Sequence, residues 1–415
     1  MVKMKDSGIE WIGEIPETWG KVKFNAIYSN RNTKVSDREY APLSVTKKGI
    51  IPQLATAAKT NDNDNRKLVK SGDFVINSRS DRRGSCGISS LDGSVSLINT
   101  VLEPKNSQME PLYFDFLFHT IQFADEFYKW GHGIVDDLWT TNWNDMKNIT
   151  LILPTRSEQQ LIANYLDNKT TEIDGLIDKI NAEIDLLERY KHAVISNAVT
   201  IGIDSNSKLK TSNVDYIPIL NSNWRITKLG YICNKLMRPF NSTDTALICS
   251  NQGKVIERPD SASGIMVSGD NAMQGIKNGD IAIHGMDTWH GAIALSNKNG
   301  KITRVVHVCE SIEDNRFIVY YLQHLAFQGV YKLISNGVRG NTSDFRSWEK
   351  VKNIYISIPE SMQEQVRICD YLDELTSKID KNINQKQQQI TQLTEYKNSL
   401  IFEYVTGKKQ VKEAN

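Results

Sequence analysis

The chain repeats itself at a nearly constant offset of 206 residues. Glu158-Gln159 returns as Glu364-Gln365, Tyr165-Leu166-Asp167 as Tyr371-Leu372-Asp373, Ile173-Asp174 as Ile379-Asp380, Tyr190-Lys191 as Tyr396-Lys397 and Val199-Thr200 as Val405-Thr406. The copy continues more faintly upstream, where Gly72-Asp73 matches Gly279-Asp280, Gly84 matches Gly291, Trp143 matches Trp348, Lys147-Asn148-Ile149 matches Lys352-Asn353-Ile354, and Trp19 matches Trp224. An offset held over such a span requires one fold used twice. Its first part has diverged and its last part has not.

The conserved part follows Pro154. Leu166, Thr170, Ile173, Ile177, Ile180, Ile184, Leu187, Lys191, Val194 and Ala198 are spaced alternately by four and three, the 3.5-residue period of a coiled-coil seam. The second copy runs Leu372, Thr376, Ile379, Ile383, Lys386, Ile390, Leu393, Lys397, Leu400 and Tyr404. Ser157 with Gln160, and Ser361 with Glu364, fit capping boxes, and Gly202 and Gly407 fit the stops. Each run predicts a helix of roughly 43 residues, about 65 Å long. A stripe of this length needs a partner, because burying one Leu or Ile contributes about 1.5 to 3 kcal/mol. The economical partner is the other copy. The stretch 201–214 is too short to lead back along a whole helix, so the expected pairing is antiparallel, with globular units at opposite ends of a rod about a pseudo-two-fold axis. Dimerisation through one helix per chain is the alternative.

Before each helix the pattern is mixed. Short β-type runs, 73–77 and 149–153, alternate with glycine loops, and the amphipathic stretch 112–130 has its counterpart at 317–334. The expected class is α+β: two mixed α/β domains in tandem, joined by two long helices in an antiparallel coiled coil. The boundaries read 1–153 for the first domain, 154–204 for the first helix, 205–358 for the second domain, 359–407 for the second helix and 408–415 for a polar tail.

No apolar run approaches the roughly 18 to 20 residues of a membrane span, and the start carries no signal-like apolar stretch, which predicts a cytoplasmic protein away from membranes. Cys86, Cys233, Cys249, Cys309 and Cys369 show no C-x-x-C spacing, so they are expected to be reduced and packed. Net charge is +1, but it is unevenly spread. Residues 205–358 carry 18 Lys and Arg against 12 Asp and Glu, 154–204 carry 5 against 9, and 1–153 carry 19 of each. The second domain is basic and the first helix acidic, a poor track for DNA.

Catalytic signatures are missing. The nearest approach to a phosphate-binding loop, Asn299-Gly300-Lys301, lacks the leading glycine and the hydroxyl residue. There is no H-E-x-x-H, no G-x-S-x-G, no glycine-rich dinucleotide turn and no metal-ligand spacing among the seven histidines. The expectation is a non-enzymatic chain with no cofactor and no metal of its own.

Binding chemistry remains. The loop Ser78-Arg79-Ser80-Asp81-Arg82-Arg83-Gly84 packs three guanidiniums into five residues, and Arg either neutralises phosphates or bonds bidentately to guanine. The matching loop, His284-Gly285-Met286-Asp287-Thr288-Trp289-His290-Gly291, keeps the final glycine and changes the rest. The stretch from Trp130-Gly131-His132-Gly133 to Thr140-Thr141 contrasts in the same way with that from Asn336 through Arg339, Gly340 and Asn341 to Arg346. Candidate DNA-contacting residues are therefore Lys47, Lys48, Arg79, Arg82, Arg83, His132, Thr141, Trp289, His290, Arg339, Asn341 and Arg346. Trp19 and Trp224, which share a place in the repeat, fit core packing better than binding.

These residues resemble a known family, the DNA-specificity subunit of type I restriction-modification systems. The resemblance lies in the opening Ser7-Gly8-Ile9-Glu10-Trp11-Ile12-Gly13-Glu14-Ile15-Pro16-Glu17-Thr18-Trp19, and in the doubled string of Lys-Asn-Ile, an apolar strand, Pro, Glu-Gln, Tyr-Lys and Val-Thr. It implies two target-recognition domains, each reading one half of an asymmetric bipartite site in double-stranded DNA. It also implies two helices that act as a ruler, with methylation and cleavage left to other subunits. The implied partners are two methyltransferase subunits, which bring S-adenosylmethionine, and restriction subunits, which bring ATP and magnesium. The rival expectations are a coiled-coil scaffold whose globular ends bind proteins and an enzyme with its own hidden active site. Lys386 departs from the symmetry, taking the seam position that Ile180 holds in the first copy; a carboxylate partner, solvent or asymmetric partner binding would each account for it.

Overall fold

The apolar run after Pro154 folds as one helix of 45 residues, Arg156–Thr200, and its copy as one of 44, Met362–Val405. Capping of the first helix differs from expectation by two residues. The helix begins at Arg156, so Thr155 is the cap: its Oγ1 accepts from the Glu158 N–H at 3.3 Å, and its own N–H donates to Glu158 Oε2 at 2.9 Å. A carboxylate at the third helical position, facing the positive end of the helix dipole, is the stronger partner than the Gln160 amide. Gly202 (φ +90°) and Gly407 (φ +72°) lie just past the two ends in the left-handed conformation that stops a helix.

The computed structural model describes residues 3–54, 63–105, 109–133, 139–259, 270–335 and 345–411. It divides into two units, Met1–Ile180 with Gln387–Asn415, and Asn181–Lys386. The division cuts both long helices, so each unit holds one head and a stretch of each helix.

In the first unit the helical stretches run antiparallel. Tyr165 packs on Tyr404 with ring centroids 4.6 Å apart, while Asp174, further along the first helix, takes Lys397, further back on the second, at 2.6 Å. Leu166, Ile173 and Leu400 are buried in one cluster with the head, against which Ile177 and Leu393 also pack. The second unit repeats the arrangement with the copies exchanged: Lys191 pairs with Asp380 at 2.6 Å, and Glu183 with Lys386. Ile184, Leu372, Ile379 and Ile383 are buried. Ile180, Leu187, Val194 and Ile390 are half-buried, as a seam between only two helices must leave them. The repeated Ile-Asp and Tyr-Lys motifs are thus each other's partners, which is why they diverged least. Lys386 faces a carboxylate.

The two heads share the strand order of one four-stranded sheet. In the first unit an antiparallel sheet runs in the order Tyr28–Asn30, Asn99–Pro104, Phe74–Asn77, Cys86–Ile88. In the second the order is Cys233–Leu236, Val306–Ser311, Ile281–His284, Ile293–Leu295. A hairpin lies beside each, Leu43–Thr46 with Gly49–Pro52 and Ala246–Ser250 with Lys254–Glu257. A two-stranded ribbon, Gly20–Lys23 with Thr150–Leu153 or Trp224–Lys228 with Tyr355–Pro359, leads straight into the long helix. The first head's core is aromatic, with Phe24, Tyr28, Phe74, Phe118 and Phe123 in mutual contact and Phe74 and Phe118 at 4.3 Å.

The amphipathic stretch 112–130 is two helices, Pro111–Phe118 and Ile121–Lys129. Thr120 breaks it, because its hydroxyl accepts from the Phe123 N–H at 3.2 Å and caps the second piece. The counterpart is broken too, into Asn315–Phe327 and Val330–Ile334, at Gly329 (φ +69°). The five cysteines are buried and free. Among the described residues no helix is long and apolar enough to cross a membrane, and no three His, Cys, Asp or Glu side chains gather as a metal site.

Candidate nucleic-acid interface

In the first head the strand Phe74–Asn77 delivers the arginine loop, and backbone bonds tie that loop to a second one. The Thr141 N–H donates to Ser78 O at 3.0 Å, His132 and Thr140 exchange bonds at 3.0 and 3.1 Å, and Tyr128 Oη donates to Arg79 O at 2.8 Å. Arg79, Arg82, Arg83 and His132 are exposed around this junction. They are not equivalent. Arg83 pairs with Asp125 and its guanidinium lies 5.9 Å from the Tyr128 ring centre, so it braces the loop. Arg82 meets its neighbour Asp81 at 3.5 Å with 67% of its side chain exposed. Thr141 is buried, its hydroxyl donating to Phe127 O at 3.0 Å; it contributes geometry. Lys47 and Lys48 sit exposed at the tip of the Leu43–Thr46 hairpin, whose Gly49 abuts Gly87.

The second head uses the same lock on a different loop. The Phe345 N–H donates to Gly285 O at 3.0 Å, the counterpart of the Thr141 to Ser78 bond. His307 Nε2 lies 2.7 Å from Phe345 O, and a carbonyl only accepts, so the imidazole donates. Burial holds its pKa below the usual histidine value, consistent with the neutral ring. Gly285 is required here, since a Cβ would lie 2.9 Å from Arg346 Cα. The short turn Thr288–His290 carries Trp289, half-buried against the head's core, and the exposed His290, while the exposed Arg346 lies beside Gly285 at the lock. Lys332, which the sequence pattern does not single out, adds a cation 5.1 Å from the Trp289 ring centre. Arg339 and Asn341 lie outside the described residues.

At the other end of the strand that delivers each first loop is a partly buried brace. Arg31 bonds Asp73 at 2.8 and 3.1 Å and Glu103 at 2.8 Å; at the same places in the copy, Arg238 bonds Asp280 at 2.8 Å twice and approaches Glu310 at 3.7 Å. Asp73 and Asp280 also cap their turns by accepting from the Lys70 and Lys277 N–H groups, each at 2.8 Å. The repeat in sequence marks only the aspartates. The arginines return at nearly the same offset, and that is the signal that could have found them.

One frame that holds two dissimilar sets of cations and rings, carried on paired helices, defines a duplicated recognition protein. Comparison with known proteins gives the family. The model of the type I restriction modification DNA specificity domain matches residues 16–186 and again 221–392, and the chain belongs to that family. It is a specificity subunit, a component for DNA recognition and not itself the catalyst. It is 24% identical over 351 residues to the type I restriction enzyme MjaVIII specificity subunit of Methanocaldococcus jannaschii, covering 78% of this chain and 76% of that one. It is 22% identical over 240 residues to the MjaX specificity subunit of the same organism, spanning about half (53%) of each. Its fold matches a chain in a solved structure concerned with complex assembly and conformational transition of the type I R-M system, with a TM-score of 0.68 at 14% identity over 94% of this chain and 98% of that one.

Proposed function

We propose that residues 1–153 and 205–358 are target-recognition domains, each reading one half of an asymmetric, bipartite DNA site, and that the helices 154–204 and 359–407 set the distance between the halves. Arg79 and Arg82, with His132 beside them, face the first half-site. Trp289, His290, Lys332 and Arg346 face the second, where the sequence also places Arg339 and Asn341. A bidentate arginine on guanine contributes about 1 to 3 kcal/mol of discrimination, and Lys47 and Lys48, on a separate hairpin tip, suit phosphates. Two methyltransferase subunits dock on the helices and the flanks of the heads and carry out methylation; restriction subunits complete a cleaving assembly.

The observation that carries this reading is the shared lock. The Thr141 to Ser78 and Phe345 to Gly285 bonds hold equivalent loops of unlike composition, as expected where a frame is kept and its readers are exchanged. Methylome sequencing of a host with and without this chain tests it. The expected gain is one methylated motif made of two unrelated halves around a fixed spacer; a palindromic motif, or none, overturns it.

A further inference from the structure

We propose that Trp19 and Trp224 are positioning residues that fix the direction in which each head leaves the paired helices. The inference rests on the two-part reading above. Both rings are buried, at 3% and 1% exposure, and packing alone would account for that. Their hydrogen bonds and neighbours ask for more. Trp19 Nε1 donates to Glu158 Oε1 at 3.0 Å, and Trp224 Nε1 donates to Glu364 Oε1 at 2.9 Å. Any nearby carbonyl would satisfy a buried indole, yet in both copies the acceptor is the carboxylate in the first turn of the long helix. The far edge of each ring meets the stop of the opposing helix. A Cβ on Gly407 would lie 2.8 Å from Trp19 Cη2, and one on Gly202 would lie 3.5 Å from Trp224 Cζ2.

Three parts of a unit therefore converge on one indole: the ribbon that carries the head, the start of one long helix and the end of the other. A second brace stands beside it. Gln159 Oε1 accepts from the Glu110 N–H at 2.9 Å while its Nε2 donates to Pro154 O at 2.9 Å. Gln365 does the same with the Asp314 N–H at 3.0 Å and Pro359 O at 3.1 Å. These bonds restrain rotation of the head about the ribbon, and such a rotation changes which half-site phase the head meets. That gives a physical reason for the return of Trp and Glu-Gln in both copies.

The test uses the full chain in its methyltransferase complex and duplexes bearing the site read from the methylome. The spacer is changed by one or two base pairs, each moving a half-site by about 3.4 Å and 34°, and a further duplex carries a single half-site. Trp19→Phe and Trp224→Phe keep a ring and remove the donor. They are expected to bind the single half-site as the parent does, while preference for the native spacer falls about tenfold, the cost of one charge-assisted bond. Glu158→Gln keeps an acceptor and is expected to keep the preference; Glu158→Ala loses it, and serves if the phenylalanine variants do not fold. A spacer preference intact in Glu158→Ala and in the phenylalanine variants overturns the proposal, whatever their melting temperatures. A parent complex indifferent to spacing overturns the two-part reading itself.

Discussion

At the residue scale, the three arginines of the first loop separate into two kinds. Arg83 is engaged by Asp125 and lies near Tyr128, whereas Arg79 and Arg82 stand exposed. Arg79→Ala and Arg82→Ala are expected to leave stability within about 0.5 kcal/mol and to lower the slope of log affinity against log salt by about one for each phosphate no longer neutralised. Arg83→Ala should do the reverse, lowering the melting temperature with the slope kept. Equal reductions of slope in all three would contradict the division. The sequence showed the cluster but not its roles, because pairing with Asp125 is made by folding and no local spacing encodes it. His324 offers a separate test. Burial pushes its pKa down to about 4, and its Nδ1 lies 2.8 Å from Ser196 Oγ. The unfolded chain then binds the extra proton between about pH 6.5 and 4, so this contribution is complete above pH 6.5 and declines as pH falls. By pH 5 the loss should reach about 2 kcal/mol. Denaturant melts from pH 7 to 5 should show His324→Gln with a shallower decline than the parent; parallel curves would refute the assignment.

At the element scale, the seam was the most legible part of the chain, because a 3.5-residue period is written in consecutive residues and needs no knowledge of the heads. The break at Thr120 was not, since a capping threonine and an interior threonine are the same letter until the hydroxyl finds the Phe123 N–H. Nor did the repeat reveal why its Asp and Lys motifs return. Asp174 takes Lys397, and Asp380 takes Lys191, so each copy supplies what the other needs. These pairs are partly exposed, with Asp174 at 54%, and each is worth at most about 1 kcal/mol. Their value lies in register. Asp174→Lys should destabilise by placing two ammonium groups together, and Asp174→Lys with Lys397→Asp should recover most of the loss, with a coupling of roughly 0.2 to 1 kcal/mol in a double-mutant cycle. Rescue by Lys191→Asp in place of Lys397→Asp would contradict the antiparallel register.

At the scale of the whole molecule, the duplication makes a claim about modularity. The sheet order, the ribbon into the helix, the Arg31–Asp73 and Arg238–Asp280 braces and the loop lock recur in both heads, while the locked loops do not. Each head is also buried against its own helical stretches, through Leu166, Ile173 and Leu400 in the first unit and Ile195, Ile368 and Leu372 in the second. A head exchanged together with residues up to 153 keeps the helical faces that it packs on. Replacing residues 1–153 by those of another family member is therefore expected to give a folded complex whose methylated motif differs in one half, with the other half and the spacer unchanged. Changes in both halves would mean that the heads are coupled and that the frame is not neutral. A changed spacer with both halves kept would place the ruler partly in the head, through the ribbon and its tryptophan. A new first half on the old spacer would leave the helices as the determinant of distance and the loops as the determinant of sequence.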